Sequence, residues 1–250
     1  MQVLKQNDGQ APVPLRALRP FIRERERARV VEEYCEMCSE PLGSEHRHLL
    51  DLSRHCIVCT CGACALLFAS RGAGDGKYRC LPQRWLALQD FQMTDEQWDE
   101  LGLPVDMAYI FYSSEAERAL AFYPSPAGAM ESLLDLENWK ALLGGNPILN
   151  DLEPDVEALL VNRIGQTREY FVVPIDFCYC LVGLLRLSWK GLSGGKEAWE
   201  AIEAFFADLR VKASPVTSDN NLTNQTSDEA SLSGYETPSQ EREHHARPEL

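Results

Sequence analysis

The sequence predicts an α+β protein, with a cysteine-rich, zinc-ribbon-like metal knuckle at its N-terminal end joined to an α+β body and flanked by disordered tails. Three observations carry this. Seven of the nine cysteines fall between residues 35 and 80, six of them in two clusters. From about residue 81 to 210, strand-like and helix-like runs alternate with turn signals. Residues 211–250 are rich in Ser, Thr, Asn, Asp and Glu and nearly devoid of large apolar groups, so they cannot bury enough surface to offset the entropy of ordering. The expected divisions are a flexible arm over 1–30, a cysteine-rich module over 31–80, an α+β domain over 81–210 and a disordered acidic tail over 211–250.

The knuckle comes first. Cys35-Glu36-Met37-Cys38 is one CxxC turn, and Cys56-Ile57-Val58-Cys59-Thr60-Cys61-Gly62-Ala63-Cys64 holds two more that overlap around a CxC. A CxxC turn presents two thiolates, and two facing turns close a tetrahedral four-sulfur site. Two pairings satisfy that geometry: Cys35, Cys38, Cys56 and Cys59, or Cys35, Cys38, Cys61 and Cys64. His46 and His48 lie between the clusters and can replace a thiolate, since imidazole ligates zinc equally well. Zinc is the expected ion. A rubredoxin-like iron centre or a small iron–sulfur cluster is the alternative, because more than four cysteines exceed what one zinc needs. Short strands are expected at His48–Leu52 and Cys56–Val58, with a helix over Ala63–Ala69. Cys80 reads as a small buried residue. Cys178 and Cys180 stand two apart in an apolar helix, so they point to different faces, and core packing is expected for both.

The body follows in order. Gly72–Gly76 is a turn, and a strand over Tyr78–Leu88 contains Pro82, which confines it to an edge. Thr94-Asp95-Glu96-Gln97 is a capping box opening a helix with Trp98 and Leu101 on its apolar side. Val105–Tyr112 and Ala119–Tyr123 are strand-like and can pair around 113–118. Pro124–Ala129 is a tight loop running into a helix from Glu131, whose amides could hold an anion, although a rigid packing turn explains it as well. Leu133–Leu143 is helical and stops at Gly144-Gly145. Asp151, Glu153, Asp155 and Glu157 lack the loop and glycine of a calcium site and read as a solvated face. Arg163 and Arg186 could pair with them. Tyr170–Val173 is a strand. Ile175, Cys178, Leu181, Val182 and Leu185 recur at helical spacing after Pro174, and Asp176 complements the helix dipole there. Ser193 can cap a last helix lined by Trp199, Ile202, Phe206 and Leu209.

A formal charge of −14 argues against nucleic acid as a partner, because phosphate binding draws on clustered Lys and Arg. The longest apolar run, Phe177–Leu185, is too short to span a membrane, and the N-terminal residues lack the apolar core of a secretory signal. The expected compartment is therefore a reducing cytoplasm, where dense cysteines are more often metal ligands than disulfides. No Ser-His-Asp order, phosphate-binding loop or dinucleotide fingerprint is evident.

Longer strings then resemble a known family. They include the CxxC turn at 35–38, His46-Arg47-His48-Leu49, Cys59–Phe68, Tyr78-Arg79 and Ala121–Ala129. Pro154–Arg163, Pro174-Ile175-Asp176, Cys178-Tyr179, Leu181-Val182-Gly183 and Trp189–Gly195 continue the match. Over residues 33–210 the chain is similar to an uncharacterised bacterial family, a domain of unknown function, whose genes often accompany those of high-affinity uptake nickel–iron hydrogenases. The resemblance implies Cys35, Cys38, Cys59, Cys61 and Cys64 as motif cysteines and leaves Cys56 and Cys80 outside. It also implies a metal-binding accessory protein whose partner is a hydrogenase subunit or maturation factor. The alternatives are a redox carrier with a cysteine-ligated iron centre and an enzyme of unknown chemistry.

Overall fold

Short apolar pairs, Leu49-Leu50 and Ile57-Val58, build the strands of the N-terminal ribbon. In the computed structural model, which describes residues 33–217 except 71, 133–135 and 192, strand β1 (Arg47–Asp51) pairs antiparallel with β2 (Cys56–Thr60). Asp51 fixes the hairpin turn: its Oδ1 accepts from the amides of Ser53 and Arg54 and from the Ser53 hydroxyl. β2 leads through Cys61, whose sulfur caps the helix, into α1 (Gly62–Leu67). A 3-10 turn at Ala73–Gly76 then returns the chain to β3 (Tyr78–Cys80) on the other side of β1. The sheet order is β2-β1-β3.

The body is a seven-stranded sheet with helices on both faces. Its strands are β4 (Leu86–Leu88), β5 (Met107–Ser113), β6 (Arg118–Ser125), β7 (Gly128–Ser132), β8 (Glu157–Asn162), β9 (Glu169–Pro174) and β10 (Ser214–Val216). Their order is β10-β4-β9-β8-β5-β6-β7. All neighbours run antiparallel except β10 with β4. On one face Tyr109, Leu160 and Phe171 sit in register and pack with α4 (Ile175–Ser188) and α5 (Gly195–Lys212). On the other, Ile110, Leu159 and Val172 pack with α2 (Asp95–Glu100) and α3 (Leu136–Gly145). The ribbon rests on the α4 side, where its Leu50 and Leu81 enter the core beside Ile175 and Cys178.

Several expectations change. The strand expected over 78–88 is two strands in two sheets, with Pro82 in the break between them. The helix expected from Glu131 is β7, so Pro124–Ala129 turns a β6–β7 hairpin. The capping box at Thr94 is present in both directions, but Ser193 does not cap α5. Its N-cap is Gly194 at φ 84°, a conformation that suits glycine. A Cβ at 194 would also come within 2.9 Å of the Trp189 ring. Trp199 is substantially exposed, whereas Ile202, Phe206 and Leu209 are buried as expected. The fold runs past the expected boundary at 210: α5 ends at Lys212, Ala213 is buried, and β10 carries Pro215 on the sheet edge, where a missing amide is tolerated. The expectations for 1–30 and for the tail beyond 217 lie outside the described residues. Among the described residues no helix is long and apolar enough to cross a membrane.

Candidate metal centre

Two turns bring four sulfurs together. The Cys35–Cys38 turn closes with Ser39 N donating to the Cys35 carbonyl at 2.7 Å and Cys35 N donating to Glu40 O at 2.8 Å. Facing it, Cys61 follows β2 as the N-cap of α1 and Cys64 lies in the first turn of that helix, with Cys64 N donating to Cys61 Sγ at 3.5 Å. Glu36 joins the two halves. Its amide donates to Cys59 O at 2.9 Å, and its carboxylate accepts from Cys59 N at 3.0 Å. The sulfurs of Cys35, Cys38, Cys61 and Cys64 all lie within 4.8 Å of one another. Cys38 and Cys61 Sγ are 3.7 Å apart, and a tetrahedral zinc with 2.3 Å bonds places its sulfurs about 3.8 Å apart. This four-cysteine cluster can hold a metal ion.

The local electrostatics fit a cation. Burial raises the Cys35 thiol, but backbone amides of Cys61, Met37 and Cys38 outweigh it and bring it down to about 6. Hydrogen bonding with Cys38, followed by burial, pushes Cys64 up to about 12. Four sulfurs this close cannot all ionise unless a positive charge sits among them.

Cys59, His46 and His48 form a second group. Register explains it: His48 lies directly opposite Cys59 in the β1–β2 ladder, and His46, two residues earlier, shares the His48 side of the chain. Each offers a donor atom, and the three atoms lie within 4.8 Å of one another. The two imidazoles meet edge to face, with Nε2 atoms 3.1 Å apart. His46 Nδ1 is 3.1 Å from Gly43 O, and His48 Nδ1 is 2.6 Å from Asp176 Oδ2. That hydrogen bond raises the His48 pKa against the opposing effect of burial. Asp176, expected only as a helix-dipole charge, also ties the ribbon to α4. Its partner lies 128 residues away, so no local signal exposed it.

The remaining cysteines stand apart. Cys56 pairs across from Asp51 and joins neither group, so the pairing of Cys35, Cys38, Cys56 and Cys59 is not the one the fold assembles. Cys80 is half-buried and accepts from Arg47 at 3.5 Å. Cys178 is buried in the core, but Cys180 is exposed, because residues two apart on α4 face opposite ways. The acidic stretch is only in part a solvated face: Asp151 is exposed, but Asp155 and Glu157 are buried, bonded to Arg79 and Arg84. Arg163 pairs with Asp95 on α2 and with the Tyr170 hydroxyl, not with those acids. In the Pro-Ser-Pro turn, Ser125 Oγ accepts from Ala127 N and donates to Gly128 O. Its polar groups bond within the hairpin, and no helix follows to aim amides at an anion.

Fold and site together define a protein with a cysteine ribbon mounted on a three-layer α+β body. The chain belongs to a family of unknown function, DUF5947, which it matches over residues 34–213. No curated protein and no solved structure matches it.

Proposed function

We propose that this protein is a metal-binding accessory protein in which zinc at Cys35, Cys38, Cys61 and Cys64 holds the ribbon folded and in place on the body. The observation that carries this reading is the convergence of four sulfurs from two turns with 22 residues between them. Closed four-cysteine sites of this kind are usually structural, and their binding energy is folding energy. The ribbon is the part of the chain most in need of it. Its strands are five, five and three residues long, too short to build a core alone. The partner we propose is a subunit or maturation factor of a nickel–iron hydrogenase, supported by the gene association that the sequence resemblance implies.

Elemental analysis of protein purified under reducing conditions tests the metal. One chelator-resistant zinc per chain is expected, and Cys35→Ser should abolish it. Less than about 0.3 equivalents of any transition metal, with no gain on anaerobic reconstitution, overturns the reading. Red or brown protein with reversible one-electron bleaching would instead make it an iron redox carrier. For the partner, a tagged chain purified from its native host should retain a hydrogenase subunit or maturation factor. Recovery of neither overturns that part alone.

A further inference from the structure

We infer that His46, His48 and Cys59 form a second metal site, separate from the four-cysteine centre and built for an exchangeable divalent ion of the zinc or cobalt type.

Hydrogen bonding provides the first support. His46 Nδ1 faces a backbone carbonyl and His48 Nδ1 faces a carboxylate, and both partners only accept. Each imidazole therefore carries a proton on Nδ1, and when both rings are neutral, the form that ligates a metal, two Nε2 lone pairs point at each other across 3.1 Å. Two bare acceptors at that distance repel, and a cation between them removes the repulsion. A tetrahedral ion with bonds of 2.0–2.1 Å would hold its two nitrogens about 3.3 Å apart. The same pattern, a metal-facing Nε2 with Nδ1 bonded to a carboxylate or carbonyl, is how proteins orient ligating histidines.

The third donor comes from the neighbouring strand. Cys59 is the cross-strand partner of His48, so its position is set by the sheet and not by a loop. Thiolate with two imidazoles is a donor set suited to zinc and its neighbours, and poorly suited to magnesium or calcium. Three protein donors leave an ion one coordination position short of four, the pattern of sites that exchange or activate a ligand. Both histidines also line a cavity of about 280 Å³, shared with Trp85, Phe177, Cys180 and Lys212. The His46 side chain is 10% exposed and that of His48 30%, so a fourth ligand can reach the ion. The four-cysteine cluster needs no such access.

Anaerobic cobalt titration of the full chain, freed of metal and reduced, tests this. Two equivalents should bind. The first should give the intense sulfur-to-cobalt absorption of a four-thiolate site. The second should add weaker charge transfer from a single thiolate and be removed first by chelator. Cys59→Ser and His48→Gln should each reduce the stoichiometry from two to one while leaving the four-thiolate spectrum intact. Asp176→Asn should weaken only the second ion, by about 10- to 100-fold, as loss of such a supporting carboxylate typically does. Binding of a single equivalent by wild type, with Cys59→Ser and His48→Gln unchanged in stoichiometry, overturns the inference. That outcome would leave a proton shared between the two imidazoles. Failure of the four-cysteine reading is a different result: the four-thiolate absorption would be missing, and Cys38→Ser would change nothing.

Discussion

The ribbon and the body solve the same problem by different physics. The body buries both faces of its sheet, so every residue of β8 is buried and an apolar cluster packs on each side. Removing that apolar surface from water stabilises it at about 25 cal/mol per Å². The ribbon has three short strands and contributes Leu50 and Leu81 as buried members of the main core, with half-buried Leu52 and Ile57 packed against it. What it has in density is ligands. The difference teaches where each region should fail: the body through cavities, the ribbon through loss of an ion.

The largest effect should come from the four-cysteine centre. Cys35→Ser, or a strong chelator under reducing conditions, should abolish amide-exchange protection in β1 and β2 while β5, β8 and β9 stay protected. Equal loss in both regions would show that they unfold as one unit and would break the contrast. Next, Phe206→Ala should cost about 3–5 kcal/mol, because its ring is fully buried beside Phe171 and Phe205. Metal content should not change, which denaturant melts with parallel zinc analysis would check. Glu157→Gln should cost about 1–3 kcal/mol, since the carboxylate is buried and receives Arg84 Nε at 2.7 Å and the Glu153 amide at 2.9 Å. Cutting the chain after Arg210 should cost about 1–2 kcal/mol, because it removes buried Ala213 and the β10 strand.

The smallest effect concerns pH. Burial raises the Asp51 carboxyl, but hydrogen bonds from Ser53, Lys77 and the Arg54 amide outweigh it and hold the pKa below the ordinary carboxylate value. A depressed folded pKa adds stability that is fully present above the unfolded value near 3.9 and lost as pH falls through the folded one. Asp51→Asn should therefore flatten the acid limb of the stability curve below about pH 4 and remove stability at neutral pH. An unchanged acid limb would show that the hairpin turn does not depend on this charge.

Some of this was legible from residues alone. CxxC spacing marks a sulfur site because two residues are what a knuckle needs, and the Thr94 capping box marks α2 for an equally local reason. The partition of the ligands was not legible. Cys59 and Cys61 stand two apart and look like halves of overlapping knuckles, but the β1–β2 pairing aligns Cys59 with His48 while Cys61 passes on to cap α1. A His-x-His entering a strand opposite a cysteine was the available signal, and reading it required the register. β8 was missed because a strand covered on both faces loses its alternation. Asp155 and Glu157 read as solvated because an acid's burial depends on its partner, and Arg84 lies 73 residues before Glu157.

The sheet order also bears on the order in which the chain assembles. The ends of the four-cysteine set are 29 positions apart in sequence (64 − 35), and β5, β6 and β7 pair as successive hairpins. β4 must find β9 across 86 residues (172 − 86), and β10 must find β4 across 128 (214 − 86). Closing long loops is entropically costly and slow. The β4–β10 edge should therefore zip last in refolding, after the meander and the ribbon have formed. In pulsed hydrogen exchange, the amide of Gln89, which bonds to Val216 O, should gain protection later than those of β5 and β6. Simultaneous protection would mean that the sheet condenses in a single step.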